Sequence, residues 1–396
     1  MEKLLPNNPF EASRVVPVLE KLIQFSLFTF AAFSMFSISV TQIAFALGAL
    51  AWLLKTHLTK SWEELRGTLV GPAILCFCLA CVLAVVTSVD IESSFRHLKK
   101  LFQFIIFFWV VNSIQDEKQR DLLIKLIIVA GVATALNGIL GADLRIERPK
   151  GTLSKEATFS GVLMLVGVVA LGRLLFHKPK EYWVLGSVGV ISLCLLVSLT
   201  RQVWLGFFIG AVFLMFFWNK KYLLIIPLLL AGLLLFGPEK IKDRMQSYTN
   251  LKDGALQQRV STWKGGWKIF KDHPITGCGF KCVDSVHLQY PDPSGWIAHY
   301  RGMHSNVFQL LVDTGIVGLG TWLSIWVAYL IEIIKRWRER SQDNAKGILM
   351  GSSAAVLGFL VGGFFETNIY DSEVAMLLYF LMGLSLTKTK KFSTAE

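Results

Sequence analysis

Apolar and polar positions in this chain come in blocks rather than in alternation. Runs such as AILCFCLACVLAVV and LGSVGVISLCLLVSL recur from Phe25 to Leu386, and one sizeable polar stretch, about 238–303, interrupts them. A membrane-crossing helix needs about 20 predominantly apolar residues. In hydrocarbon every backbone donor and acceptor must also be satisfied within the segment. The pattern therefore predicts helical spans at about 19–37, 40–54, 69–89, 98–114, 121–141, 157–176, 182–199, 202–218, 221–237, 305–334, 347–366 and 372–387. The expected fold is all-α and polytopic, with about twelve transmembrane helices. Residues 1–396 form a single transmembrane domain, and 238–303 form one long loop between the ninth and tenth spans. The tenth span is long, and Asp313-Thr314-Gly315 reads as a break that leaves its first part as a short helix outside the membrane.

Composition agrees with the blocks: 53% of the residues are hydrophobic and the mean hydropathy is +0.52, which excludes a water-soluble domain. The N-terminal MEKLLPNNPFEASRVVPVLE lacks the basic start, short apolar core and small-residue cleavage site of a signal peptide, so the first helix is expected to be retained. No internal repeat is visible, which weakens the case for an inverted-repeat transporter.

Charge then sets orientation. Short cytoplasmic loops carry an excess of Lys and Arg. With the N-terminus inside, just over half of the 40 basic residues fall at the cytoplasmic face: Lys3, Arg14 and Lys21 at the start, Arg66, Lys118 and Arg173 in inner loops, Arg340 near the end, and Lys388, Lys390 and Lys391 in the tail are among them. Both termini are expected inside and the long loop outside.

The basic residues that disobey this rule are the informative ones. Arg145, Arg148, Lys150 and Lys155 crowd one outer loop, and Arg96, Lys99 and Lys100 lie in the one before. A Lys or Arg there can simply snorkel to lipid phosphates. Arg201 differs, because it sits between two apolar spans in SLTRQVW, where a lone guanidinium is costly without a partner. Cations on one outer face point to an anionic, membrane-bound substrate.

Within the loop, RVSTWKGGWKIFKDHPITGCGF carries a helical pattern. At 100° per residue, Arg259, Trp263, Trp267 and Phe270 share a sector of about 80°, beside a face of Lys264, Lys268 and Lys271. Tryptophan favours the headgroup boundary, so this predicts a surface-lying helix holding Arg259 at phosphate depth. A loop helix packed on the membrane domain is the plainer reading, and the two are compatible. Farther on, His304 stands where the chain re-enters the membrane, and histidine as a residue type can exchange protons at neutral pH, although a lone histidine is more often structural. Asp313 would face away from it on a continuous helix, so any partner of His304 must come from elsewhere in the fold. His287, His299 and His304 with Asp284 and Asp292 match no metal-ligand spacing, and no metal or other cofactor is expected. Cys76, Cys78, Cys81 and Cys194 read as small apolar residues of spans. Cys278 and Cys282 would face an oxidising compartment, and their spacing alone leaves pairing open.

Together these patterns resemble the O-antigen ligase family of bacterial inner-membrane glycosyltransferases, within a superfamily that includes O-antigen polymerases and protein O-oligosaccharyltransferases. The resemblance rests on RPKGTLS (148–154), SLTRQVWLG (198–206), R-x3-W-x6-DHPITGCGF (259–280) and HSNVFQLLVDTGIVGL (304–319), in that order. Cys278 departs from it, standing where a small aliphatic residue is usual. The resemblance implies a GT-C-like enzyme that moves a glycan from undecaprenyl pyrophosphate to a sugar hydroxyl of lipid A–core at the periplasmic face, without metal and with inversion. Its partners would be the carrier-linked glycan, lipid A–core and membrane lipids, and no nucleic acid. Arg201 and Arg259 would bind the pyrophosphate and His304 would be the base, with Arg148, Arg301, Trp263 and Trp267 in supporting positions. The rivals are a polymerase or protein transferase of the same superfamily, and a flippase or transporter. The last should show charges deep in several spans, whereas the notable charges here cluster at one face.

Overall fold

The computed structural model describes residues 9–65, 67–143, 147–246, 254–291, 294–339 and 343–387, so Lys3, Arg66, Arg145, Asp292, Arg340, Lys388, Lys390 and Lys391 lie outside the described residues. The described chain is helical, with no strand among the described residues. Its first nine helices are α1 (Pro9–Phe33), α2 (Ile38–Leu58), α3 (Val70–Val86), α4 (Ile91–His97), α5 (Ile105–Ser113), α6 (Glu117–Leu140), α7 (Glu156–Phe176), α8 (Tyr182–Val197) and α9 (Arg201–Trp218). After α10 (Ile225–Phe236) come the loop helices α11 (Glu239–Gln246), α12 (Gly254–Asp272), α13 (Val283–Val286) and α14 (Trp296–Tyr300). The chain closes with α15 (Asn306–Glu339), α16 (Asp343–Gly363) and α17 (Ser372–Ser385).

Seven described helices are long and apolar enough to cross a membrane, or eight if the bent pair of α10 and α11 is one span. Three more apolar helices, α3, α8 and α17, are shorter. Each of the twelve apolar runs is helical, and the chain is a polytopic membrane protein. The fourth run is divided between a 3-10 segment at Leu98–Phe104 and α5. The eleventh run was expected to reach 366, but the helix stops at Gly363, leaving Glu366 in the connection to α17.

Helix α7 is buried along most of its length and forms the centre of the bundle. Without a hydrophobic drive between helices in lipid, close backbone approach at small residues supplies the packing. A Cβ on Gly172 of α7 would meet the backbone of Gly351 in α16, and one on Gly206 of α9 would meet the Gly358 carbonyl of α16. Larger side chains fill the neighbouring volume: Phe30 of α1 stacks on Phe380 of α17 at 4.6 Å, with Trp109 of α5 edge-on.

Polar side chains gather at the two ends of this bundle. At one end Arg173 of α7 binds Asp121 at 2.6 Å and Glu181 at 2.7 Å, and Lys125, which the sequence places inside a span, joins the same two carboxylates. Arg120 of α6 and Arg336 of α15 both donate to Thr387 beyond α17. These are the helix ends that the charge bias assigns to the cytoplasm. The starts of α7, α9, α15 and α17 and the end of α16 meet at the opposite end.

The break in the tenth run is built by the long loop. Gly315 has φ 62° and ψ −164°, so the helical ladder is interrupted there. The loop after α12 fills the gap: Cys278 and Gly279 donate to the carbonyls of Val312 and Asp313, while Pro274 and Ile275 accept from Ile316 and Val317. Gly277, at φ 70°, lies so close to Asp313 and Thr314 that a Cβ would come 2.5 Å from their backbone. Backbone groups freed by the break are thus re-satisfied by the loop, as burial of a peptide group requires.

Candidate active site

A cavity of about 450 Å³ opens at the end of the bundle opposite the Arg173 cluster. His304 lines it, on the segment between α14 and α15, before helical geometry begins at Asn306. Helix periodicity therefore does not place its ring, and Asp313 lines the same cavity despite the nine-residue separation. His304 has φ +47°, in the left-handed region that a non-glycine residue adopts at a cost.

Three sets of contacts hold that backbone. The Trp263 indole of α12 donates to the Met303 carbonyl at 2.8 Å, and its ring stacks on Phe308 at 5.0 Å. The Met303 amide donates to Gln309 Oε1 at 3.0 Å. The Ser305 amide donates to Thr367, and the Asn306 side chain bridges Asn368 Oδ1 and the Ile369 amide. The connection between α16 and α17 thus clasps the entry to α15.

That connection supplies the partner of His304. Glu366 Oε1 lies 3.3 Å from His304 Nδ1. Burial opposes ionisation of Glu366, but the His304 hydrogen bond, the charges of His304 and Arg259, and the Thr367 amide outweigh it and hold the carboxyl below its ordinary range. An ionised carboxylate at Nδ1 favours the tautomer with its proton on that nitrogen, which leaves Nε2 able to accept one.

Deeper in the cavity, Asp313 is fully buried and accepts from Gln309 and, at 2.7 Å, from the Tyr370 hydroxyl. Burial and the Asp313 charge push the Tyr370 phenol well above its ordinary value, which keeps it a donor. On the far wall Lys100 donates to the Tyr370 carbonyl and Ser372, and Thr158 donates to Asp371. Burial, with Glu373 adding to it against the Thr158 bond, holds the Asp371 carboxyl above the usual range.

The residues expected from the sequence are brought together in part. His304 and Arg301 line the cavity, the charge of Arg259 acts on Glu366, and Trp263 braces Met303. Arg201 opens α9, buried, beside Gln202, which lines the cavity. Trp267 does not follow Trp263: it is 48% exposed and pairs with Phe270. Arg148 is exposed and outside the lining. The expected face of α12 therefore divides into a packed half and an open half. Cys278 and Cys282 are joined in a disulfide. No group of three or more metal-ligating side chains occurs among the described residues.

Glu366, Lys281, Tyr370 and Asp371 were not singled out from the sequence, although all line the cavity, as does Lys100 from the outer-loop cations. The signal was the polar run Glu-Thr-Asn-Ile-Tyr-Asp between the last two apolar spans, acidic on a side where the other outer loops are basic.

An all-helical membrane protein whose helix ends enclose a polar cavity at one end of the bundle is the class that fold and site define. Residues 185–323, about a third of the chain, match the family model described as O-Antigen ligase. The match supports the O-antigen ligase/polymerase superfamily to which the motifs point. It includes Arg201, Arg259, Arg301 and His304 and leaves Arg148 and Glu366 outside. No curated protein matches the chain.

The role of α12 is testable apart from the chemistry. Replacing Trp263 and Trp267 together by Asp should detach the helix, release Met303 and weaken donor binding while the bundle stays folded. Binding of carrier-linked glycan in detergent, read beside thermal melting, checks this. Unimpaired binding would mean that α12 does not position the donor.

Proposed function

We propose that the protein is an O-antigen ligase, transferring a glycan from undecaprenyl pyrophosphate to a sugar hydroxyl of lipid A–core at the periplasmic face of the bacterial inner membrane, with both termini in the cytoplasm. The observation that carries this reading is the His304–Glu366 pair inside a polar cavity, with the Arg259 charge adjoining it. Glu366 orients the imidazole, and His304 Nε2 takes the proton of the acceptor hydroxyl as its oxygen attacks the anomeric carbon. The bond from that carbon to the pyrophosphate oxygen breaks on the opposite face, so the configuration inverts. Undecaprenyl pyrophosphate leaves with the electron pair. Arg201 and Arg259 stabilise the charge that grows on it, because the planar guanidinium fork matches phosphate oxygens. No step is assigned to a metal.

Lipopolysaccharide from a deletion strain tests the proposal. Loss of all long chains from lipid A–core, with carrier-linked polymer accumulating, is the expected result. Single-repeat caps on lipid A–core would instead identify a polymerase of the same superfamily, whose acceptor is a second carrier-linked glycan.

A further inference from the structure

Backbone strain in this protein is concentrated at the cavity. Among the described residues, five non-glycine residues have positive φ: Lys60, Leu199, Lys281, Arg301 and His304. The last three, at φ 62°, 51° and 47°, all line the cavity. The left-handed conformation brings Cβ against the backbone, and glycine would adopt it freely. Positions of this kind persist only where the surroundings over-determine them, and they cluster at functional sites. For His304 the proposed chemistry accounts for the cost. Lys281 and Arg301 play no part in that chemistry, yet each presents a cation to the same space.

Arg301 takes this conformation as the residue that ends α14, its amide donating to the Ile297 carbonyl at 3.0 Å, so its side chain rather than its backbone is what remains to be explained. Arg301 gives Nε to the Ala298 carbonyl at 3.2 Å and approaches Asp284 only to 3.9 Å, with both side chains more than two-fifths exposed. An exposed ion pair at that distance contributes little. Lys281 is exposed beside the disulfide-closed loop, within electrostatic reach of Asp313.

We infer that Lys281 and Arg301 form an anion-binding subsite of the cavity that takes a phosphate group carried by the acceptor glycolipid. This rests on the transfer reading given above. The acceptor is proposed because Lys281 and Arg301 share the cavity with His304, the group proposed to face the acceptor hydroxyl, while the donor pyrophosphate already has Arg201 and Arg259 assigned to it. The guanidinium fork and the ammonium are the donors a phosphate monoester takes.

The test uses the full-length protein with carrier-linked glycan and two acceptors: purified lipid A–core, and the same material stripped of its core phosphates by phosphatase. Lys281→Gln and Arg301→Gln should each raise KM for the phosphorylated acceptor about tenfold or more, the loss expected for a hydrogen bond to a charged group. Donor KM should be unchanged. With dephosphorylated acceptor the variants should behave like the parent. Lys281→Gly and Arg301→Gly separate recognition from folding, since glycine removes the strain: they should melt no lower than the parent and still lose the acceptor affinity. Unchanged acceptor KM, an equal rise with both acceptors, or a rise in donor KM would each overturn the inference. Absence of transfer by the parent protein with either acceptor would instead overturn the ligase reading.

Discussion

His304→Ala is expected to slow transfer by roughly 10²–10⁴, the range that positioned proton transfer supplies, while donor binding stays intact. The site separates the two effects. His304 meets Glu366 through Nδ1 and lines the cavity with its ring, whereas the proposed pyrophosphate contacts come from α9 and α12. Glu366→Gln keeps the shape but removes the carboxylate that orients the imidazole. It should lower kcat without raising donor KM. The assay is transfer from purified carrier-linked glycan to purified lipid A–core, with donor binding measured separately. Near-normal turnover in His304→Ala would leave a site that works by phosphate stabilisation alone.

The arginines should fail in a different way. Arg201→Ala and Arg259→Ala should each weaken donor binding and cost about 10²–10³ in rate, as loss of one charge-stabilising donor commonly does. Lysine at either position keeps the charge without the fork and should restore activity only in part. A pH profile distinguishes the two. The Arg259 charge helps hold the Glu366 carboxyl below its ordinary range. Without that charge the carboxyl protonates at higher pH, so the acidic fall in activity should begin at higher pH in Arg259→Ala. Arg201 is placed by α9 rather than by α12, and Arg201→Ala should leave that limb where it is. Added chelator should change none of these results. If both alanine variants shift the acidic limb equally, the two guanidinium groups do not have the separate placements proposed here.

Several residues in and around the cavity are legible in the sequence, for identifiable reasons. Arg201 was conspicuous because a charge between two apolar runs is expensive, and Trp263 because its indole recurs with Arg259 at helical spacing. The Asp313-Thr314-Gly315 break was legible because glycine between helical segments signals an interruption. Glu366 was not legible. It lies 62 residues beyond His304, at the edge of an apolar run where a carboxylate reads as a solvated loop residue. Periodicity assigns Trp267 the same sector as Trp263, and only the tertiary structure separates them: Trp263 packs on Phe308 of α15 and on Phe364 just past α16, whereas Trp267 is 48% exposed and pairs with Phe270.

The sequence alone determined that this chain is helical and membrane-embedded, because backbone polar groups in hydrocarbon permit little else and apolar run length is a local property. It also determined which lone cations and which histidine needed an explanation, since an unpaired charge beside hydrocarbon is costly wherever the rest of the chain goes. Only the tertiary structure decided which carboxylate orients His304, which loop fills the break at Gly315, and which cations share the cavity. Those contacts join residues tens to hundreds of positions apart, and sequence spacing carries no distance once the chain has turned back on itself. The strained backbone at His304 is tertiary for the same reason: contacts from α12, α15 and the connection after α16 hold a φ that no local preference of histidine would select.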